Sequence, residues 1–263
     1  MRWSEGLAFF YFAGLAAVSA ARPLPAGRRV RIVGTAALSC AAIVWAARAA
    51  PPHVRDWLPA LLILAGYQVS GWFFTGPSDW FERWLLGQDR RLLGDPAARV
   101  ARWPAPLLAY LEIVYMGCFL LIPAGFFALV LRGRADLADH YWTMVVAAEF
   151  GSFAPLAFVQ SRPPWALEPA PALRDRAIHR LASWFVQALT IRANTFPSGH
   201  TAGSLAVALA VLPAMPFVGL LFLTLATSIA AACVAGRYHY VTDVVAGAAL
   251  ALVIWAVVAA AGV

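Results

Sequence analysis

Residues 236–262 read GRYHYVTDVVAGAALALVIWAVVAAAG. Past Asp243 the stretch carries no charge, and no polar face interrupts it at helical spacing. A helix that is apolar all round and about twenty residues long is the length a bilayer requires. Residues 241–262 are therefore read as a membrane span, with Gly236–Tyr240 as the polar turn at its mouth. Working outward, seven further apolar blocks of helical length occur at about 6–21, 30–49, 57–75, 105–131, 140–160, 198–212 and 217–235. Only 13% of the 263 residues are charged, against about a quarter in a soluble domain. The expected fold class is all-α: a polytopic transmembrane helical bundle of about eight spans.

Two connecting regions are long enough to carry structure. Residues 76–103 mix Trp80, Trp84 and Leu85 with Glu82, Arg83, Asp89, Arg90 and Arg91, which predicts an amphipathic helix lying in the interface. In 171–190, Leu173, Ala177, Leu181, Trp184, Phe185 and Ala188 recur at helical spacing opposite Arg174, Arg176, His179 and Arg180. This predicts a second surface-lying helix. Residues 1–21 can be read as a secretory signal or as the first span; the span is preferred, since later segments supply their own insertion signals. Cys40, Cys118 and Cys233 sit singly in apolar stretches, which indicates neither disulfides nor a zinc site.

All twenty basic residues are arginine, and the net charge is +7. They gather at the ends of apolar blocks, a distribution that suits lipid head groups and the bilayer and gives no sign of a nucleic-acid partner. With eight spans, fifteen of them fall on the side that also holds the turn at 236–240. The positive-inside rule would make that side cytoplasmic.

The chemistry concentrates on this side. His239 and Asp243 are four apart at the start of the last helix and share one face. A carboxylate on one imidazole nitrogen fixes the tautomer and frees the other nitrogen to attack; Asp243 could equally be a simple helix cap. Pro197-Ser198-Gly199-His200 opens another apolar block. There Pro197 suits a first helical turn, Ser198 and Gly199 leave backbone N–H groups for an anion, and His200 can serve as a general acid. An ordinary capped helix with an incidental histidine fits the tetrapeptide alone. Arg162, in Ser161-Arg162-Pro163-Pro164-Trp165, and Arg237 are candidate phosphate clamps. Glu112, with Tyr115 one turn on, and Glu149 lie inside apolar blocks, where carboxyl groups either line a wet cavity or hydrogen-bond between helices.

These three segments, in this order and spacing, resemble the three signature motifs of the type 2 phosphatidic acid phosphatase superfamily, which includes the vanadium haloperoxidases. The likeness spans roughly residues 60–262. The third motif, His239-Tyr240-x-x-Asp243-Val244, and the Pro-Pro-Trp of the first are similar to the inositol phosphorylceramide and sphingomyelin synthase branch. The resemblance implies a six-helix phosphatase-like core at 57–263, preceded by two N-terminal transmembrane helices at 1–56. It implies His239 as nucleophile, Asp243 as its orienting partner and His200 as the acid that releases the lipid alcohol. Arg162, Ser198, Gly199 and Arg237 would hold the phosphate, and Trp165, Glu112, Tyr115 and Glu149 are candidates for the substrate cavity. Neither metal nor other cofactor is implied. Two positions depart from the family pattern: Pro155 stands where a lysine is common, and Cys233 where an arginine is. Arg237, Arg174, Arg176 or Arg180 could supply that charge.

The leading expectation is an integral-membrane lipid phosphatase in a bacterial cell membrane, hydrolysing a lipid phosphomonoester or pyrophosphate through a phosphohistidine. A lipid phosphotransferase with an alcohol acceptor, or a non-catalytic lipid-phosphate binding protein, remains as an alternative. On sidedness the two lines of argument oppose each other: the arginine count favours the cytoplasm, the resemblance the extracytoplasmic face. Head group, chain length and oligomeric state are not written in the sequence.

Overall fold

The computed structural model describes residues 1–167, 178, 180–182, 184, 190–191 and 193–262. Nine longer helices occur among them: α1 (Trp3–Ala21), α2 (Ala26–Ala49), α3 (Pro52–Gly71), α4 (Asp79–Leu93), α5 (Ala105–Leu131), α6 (Ala138–Phe153), α7 (Gly199–Val211), α8 (Pro216–Ala235) and α9 (Val241–Ala261). Short helical turns fill Pro96–Val100, Ala135–Leu137, Ala154–Ala157 and Pro164–Leu167. No strand occurs among the described residues, so the all-α bundle expected from the sequence is what forms.

Eight of these helices correspond to the eight apolar blocks, and five (α1, α2, α5, α8 and α9) are long and apolar enough to cross a membrane. That is the composition of an integral membrane protein. Of the other three, α6 is shorter for a reason visible in the packing. Helix α6 is the central post, touching α1, α3, α7 and α9, and its Tyr141, Trp142, Met144, Val145 and Val146 are fully buried. A helix buried on every side needs no lipid-facing surface.

The expected block 140–160 ends earlier than read. Helix α6 stops at Phe153 and continues as the tighter turn Ala154–Ala157. Pro155 has no N–H to donate back along the helix, so it cannot extend the α-helical ladder. Helix α2 conversely starts at Ala26, four residues before its apolar block, and carries Arg28 and Arg29 in its first two turns. These arginines bond backbone carbonyls of neighbouring segments, Arg28 that of Phe74 at 2.7 Å and Arg29 that of Ser19 at 3.0 Å.

Ion pairs sort the two ends of the bundle. Arg2–Asp56 and Arg55–Glu5, with the Ser4–Asp139 hydrogen bonds, tie the starts of α1, α3 and α6 together at one end. His200 and His239 lie at the other end, with α4 laid across it. Helix α4 is the expected interfacial helix: Phe81, Glu82, Leu85 and Asp89 are buried along one face while Trp80 and Trp84 are exposed. It closes at Gly94, whose φ of 67° is a left-handed value that glycine adopts without strain. The second expected surface helix, 171–190, falls almost wholly outside the described residues, as do Arg174 and Arg176.

Candidate active site

Helix α7 is capped by Ser198, whose Oγ accepts from the Thr201 N–H at 3.3 Å. The sequence expectation for this turn needs correcting in two respects. Pro197 precedes the cap and lies outside the first helical turn. The amides of Ser198 and Gly199 are not left open: Ser198 N–H donates to the Asp243 carbonyl at 3.0 Å, and Gly199 N–H to Thr195 Oγ1 at 3.3 Å. Buried N–H groups take partners wherever the fold offers them, and here the start of α9 and residue 195 supply them.

The second turn follows α8. Helix α8 ends at Ala235, and both Tyr238 N–H and His239 N–H return to the Cys233 carbonyl, at 2.9 and 3.0 Å. Arg237 takes φ 60° to make this turn, uncommon for a residue with a Cβ. The strain is held by burial and by an ion pair, Arg237 to Asp89 at 3.0 Å, with both side chains 2% exposed. Asp89 also accepts from the Val241 N–H at 2.8 Å, so one α4 carboxylate clamps both sides of the histidine turn. Burial pushes the Asp89 carboxyl above its ordinary range, against the pull of Val241 N–H and Arg237.

His239 is thereby set between two groups. Its Nδ1 lies 3.4 Å from Asp243 Oδ2, which also accepts from the Tyr240 N–H at 3.0 Å. Its Nε2 lies 3.3 Å from His200 Nδ1. The carboxylate beside Nδ1 places the proton there, which leaves the Nε2 lone pair facing His200. Burial pushes the His239 pKa down to about 3, so the imidazole is neutral and nucleophilic at ordinary pH. His200 is positioned by aromatic rings: it stacks on Tyr115 at 5.2 Å and takes the edge of Phe119 at 5.4 Å.

One consequence concerns stability. The unfolded chain takes a proton on His239 near pH 6.5, whereas the folded chain does so only near 3. The unfolded state therefore gains as pH falls through that window, and stability is lost with acidification. The thermal midpoint in detergent should decline from pH 6.5 towards pH 4, and His239→Gln should decline less steeply. Equal slopes in both proteins would remove His239 from the explanation.

Arg162 is half-exposed and occupied. Its backbone and side chain make three hydrogen bonds to Glu82 at 2.7–3.1 Å. The burial that would raise the Glu82 pKa is outweighed by these bonds, so the carboxylate is held below its usual range and the pair is ionic. The Arg162 carbonyl accepts from Tyr240 Oη at 3.0 Å, which joins the first motif to the third. Asn194 joins the first to the second, its N–H on the Ser161 carbonyl at 2.9 Å and its Nδ2 on Ser161 Oγ at 3.1 Å.

Below the histidines a chamber of about 1050 Å³, open mouth included, runs between α3 and α5. His200, His239, Tyr115, Trp165 and Glu149 line its polar end, and Ile63, Leu64, Phe119 and Ile122 its apolar end. Leu64 lines the chamber and is also 55% exposed, so the cavity reaches the lateral surface there. At the far end of the bundle the gap is closed by Trp57 against Phe126, ring centres 5.0 Å apart.

Of the residues singled out in the sequence, the fold therefore brings together His239, His200, Asp243, Ser198 and Gly199, with Tyr115, Trp165 and Glu149 beside them. Glu112 is a correction. It does not line the chamber but accepts from Tyr238 Oη at 2.6 Å, bracing the ring that stacks on Tyr115 at 3.8 Å. Both arginines are engaged by α4 carboxylates that sequence reasoning passed over. Glu82 and Asp89 are seven residues apart, two turns of one helix face, and that spacing was the available signal.

The family model described as the PAP2 superfamily matches residues 83–257, two thirds of the chain. The chain belongs to the PAP2 superfamily, whose members are generally phosphatases, which makes hydrolase chemistry the class expected of this site. No curated protein and no solved structure matches it.

Proposed function

We propose that this protein is a metal-independent lipid phosphatase that forms a phosphohistidine on His239. The observation that carries the reading is the row Asp243–His239–His200, set at the polar end of an otherwise apolar chamber open to the side of the bundle. A phosphorylated lipid would keep its chain in the apolar end and its phosphate against the histidines.

The 3.3 Å between the two imidazoles is too short to admit a phosphoryl group, so binding replaces this contact. A phosphomonoester has a second pKa of about 6, so the bound monoanion can pass its proton to the adjacent His200. His239 Nε2 then attacks phosphorus, the phosphorus–oxygen bond to the lipid breaks, and the departing alkoxide takes that proton. Asp243 stabilises the cationic ring that results. In the second half, neutral His200 removes a proton from water as the water attacks the phosphohistidine and the phosphorus–nitrogen bond breaks; His200 then passes that proton to the departing phosphate, which returns the starting enzyme. Arg162 reaches phosphate by exchanging Glu82 for it, a like-for-like swap of one anion for another.

The test is to mix purified protein with lipid carrying radiolabelled phosphate and quench within milliseconds to seconds. Label should appear on protein in an acid-labile, alkali-stable form, as a phosphoramidate behaves, and later as free phosphate. Phosphate release with no such label at any time would sink the intermediate. Label passing to an added alcohol in place of water would convert the reading to a phosphotransferase.

A further inference from the structure

Glu149 projects from the central helix α6 into the chamber wall. Its side chain is more than nine-tenths buried, at 6% exposure, yet no hydrogen bond or ion pair reaches its carboxyl among the described residues. Glu112, likewise inside a long apolar helix, has its tyrosine; among the described residues Glu149 has no counterpart. Its oxygens are not among the fully enclosed unpartnered atoms, so they open onto the chamber that Glu149 lines, where a ligand can reach them.

The carboxyl also has a prepared place. Gly199 and Gly203 lie four apart on α7 and face it. A Cβ at Gly199 would come within 3.2 Å of Glu149 Oε2, and a Cβ at Gly203 would collide outright with Oε1. Two glycines on one helix face thus leave room for this side chain, one turn or less from the His200 general acid. Much of the remaining wall is apolar or aromatic, with Tyr67, Thr190, Thr195 and Ser204 among its polar side chains.

We propose that Glu149 accepts a hydrogen bond from a donor on the lipid backbone, a hydroxyl or amino group on the carbons next to the phosphate ester. This rests on the lipid-phosphate reading of the chamber and names the substrate class within it. A phosphate at the histidines places the first two or three carbons of its ester beside the α7 glycines, where the carboxyl sits. A backbone with a free hydroxyl or amine fits there. One whose neighbouring oxygen is acylated, or a plain alkenyl chain, leaves the buried carboxyl unpaired. Sites built to bond a polar group reject the analogue lacking it far more strongly than apolar pockets reject an extra methylene.

The experiment measures equilibrium binding, through the fluorescence of Trp165 and its neighbours, in detergent-purified full-length protein. Three probes of one chain length are compared: 1-acylglycerol 3-phosphate, its 2-amino counterpart, and the 2-deoxy analogue with no donor. In the wild type the two donor lipids should bind at least about tenfold tighter than the deoxy lipid. Glu149→Leu should bring that ratio below about twofold. Gly203→Ala, which leaves Glu149 in the sequence but displaces its carboxyl, should do the same. A wild-type ratio near one, or a ratio that survives both substitutions, overturns the proposal. So does failure of all three lipids to bind. Because the readout is binding, a normal ratio in a protein that releases no phosphate would retain Glu149 and reject the phosphatase reading.

Discussion

His239→Ala should lower phosphate release from any lipid phosphate by at least about a thousandfold, while the protein still elutes as the wild type does and unfolds cooperatively above pH 7. Removing a covalent nucleophile removes the whole chemical path, and what persists is positioning alone. The substitution is mild for the fold, because the His239 backbone N–H keeps its bond to the Cys233 carbonyl whatever the side chain. His200→Ala should behave differently and in a diagnostic way. A general acid is worth about 10² to 10⁴ in rate when the leaving group is a poor one. The loss should therefore be large on an alkyl phosphate and small on an aryl phosphate such as p-nitrophenyl phosphate, whose phenolate leaves unaided. Equal losses on both would assign His200 to binding in place of proton transfer. Retained activity in His239→Ala would end the nucleophile assignment.

The second large effect is on stability. Asp89→Ala should destabilise the folded protein by about 3–5 kcal/mol, the range for removing one partner of a buried ion pair. Arg237 and Asp89 are each 2% exposed, so water cannot take the lost partner's place. The same substitution frees the Val241 N–H at the start of α9, which Asp89 otherwise satisfies. Because this turn carries His239, activity should fall along with the thermal midpoint. Glu82→Ala provides the contrast: Arg162 is 44% exposed and can be re-solvated, so the cost should stay within about 1 kcal/mol. A chemical-denaturation series in one detergent would rank the two, and an Asp89→Ala protein as stable as Glu82→Ala would refute the buried-clamp account.

The helices were legible because their signal is local. Runs such as 105–131 and 217–235 announce themselves by composition, and the two histidine motifs stand out as polar clusters at the ends of such runs. Helix boundaries slipped where backbone chemistry outranked hydropathy, as at Pro155, or where arginines of α2 reached carbonyls on other segments. What the sequence concealed was partnership. The Ser198 and Gly199 amides read as open because their acceptors, the Asp243 carbonyl in the first turn of α9 and Thr195 Oγ1, are brought to them by tertiary packing and loop geometry that no periodicity encodes. Glu82 and Asp89 read only as two of the charges of an interfacial helix; docking of α4 turns them inward onto two arginines. Asn194 drew no notice at all, though it stitches Ser161 to the α7 turn. For Glu112 and Glu149 the sequence offered two roles, and the fold assigned one to each.

The sideways mouth at Leu64 bears on how turnover would be measured. A lipid that arrives through it diffuses in two dimensions, so its relevant concentration is a mole fraction among its neighbours and not an amount per volume. Diluting the substrate with inert lipid or detergent should slow the reaction even when the bulk quantity is held constant. Added buffer, at fixed membrane composition, should leave it alone. On the lipid-phosphatase proposal, any neighbouring lipid that fits the gap between α3 and α5 would act as a competitor, and the surrounding membrane would set the working rate.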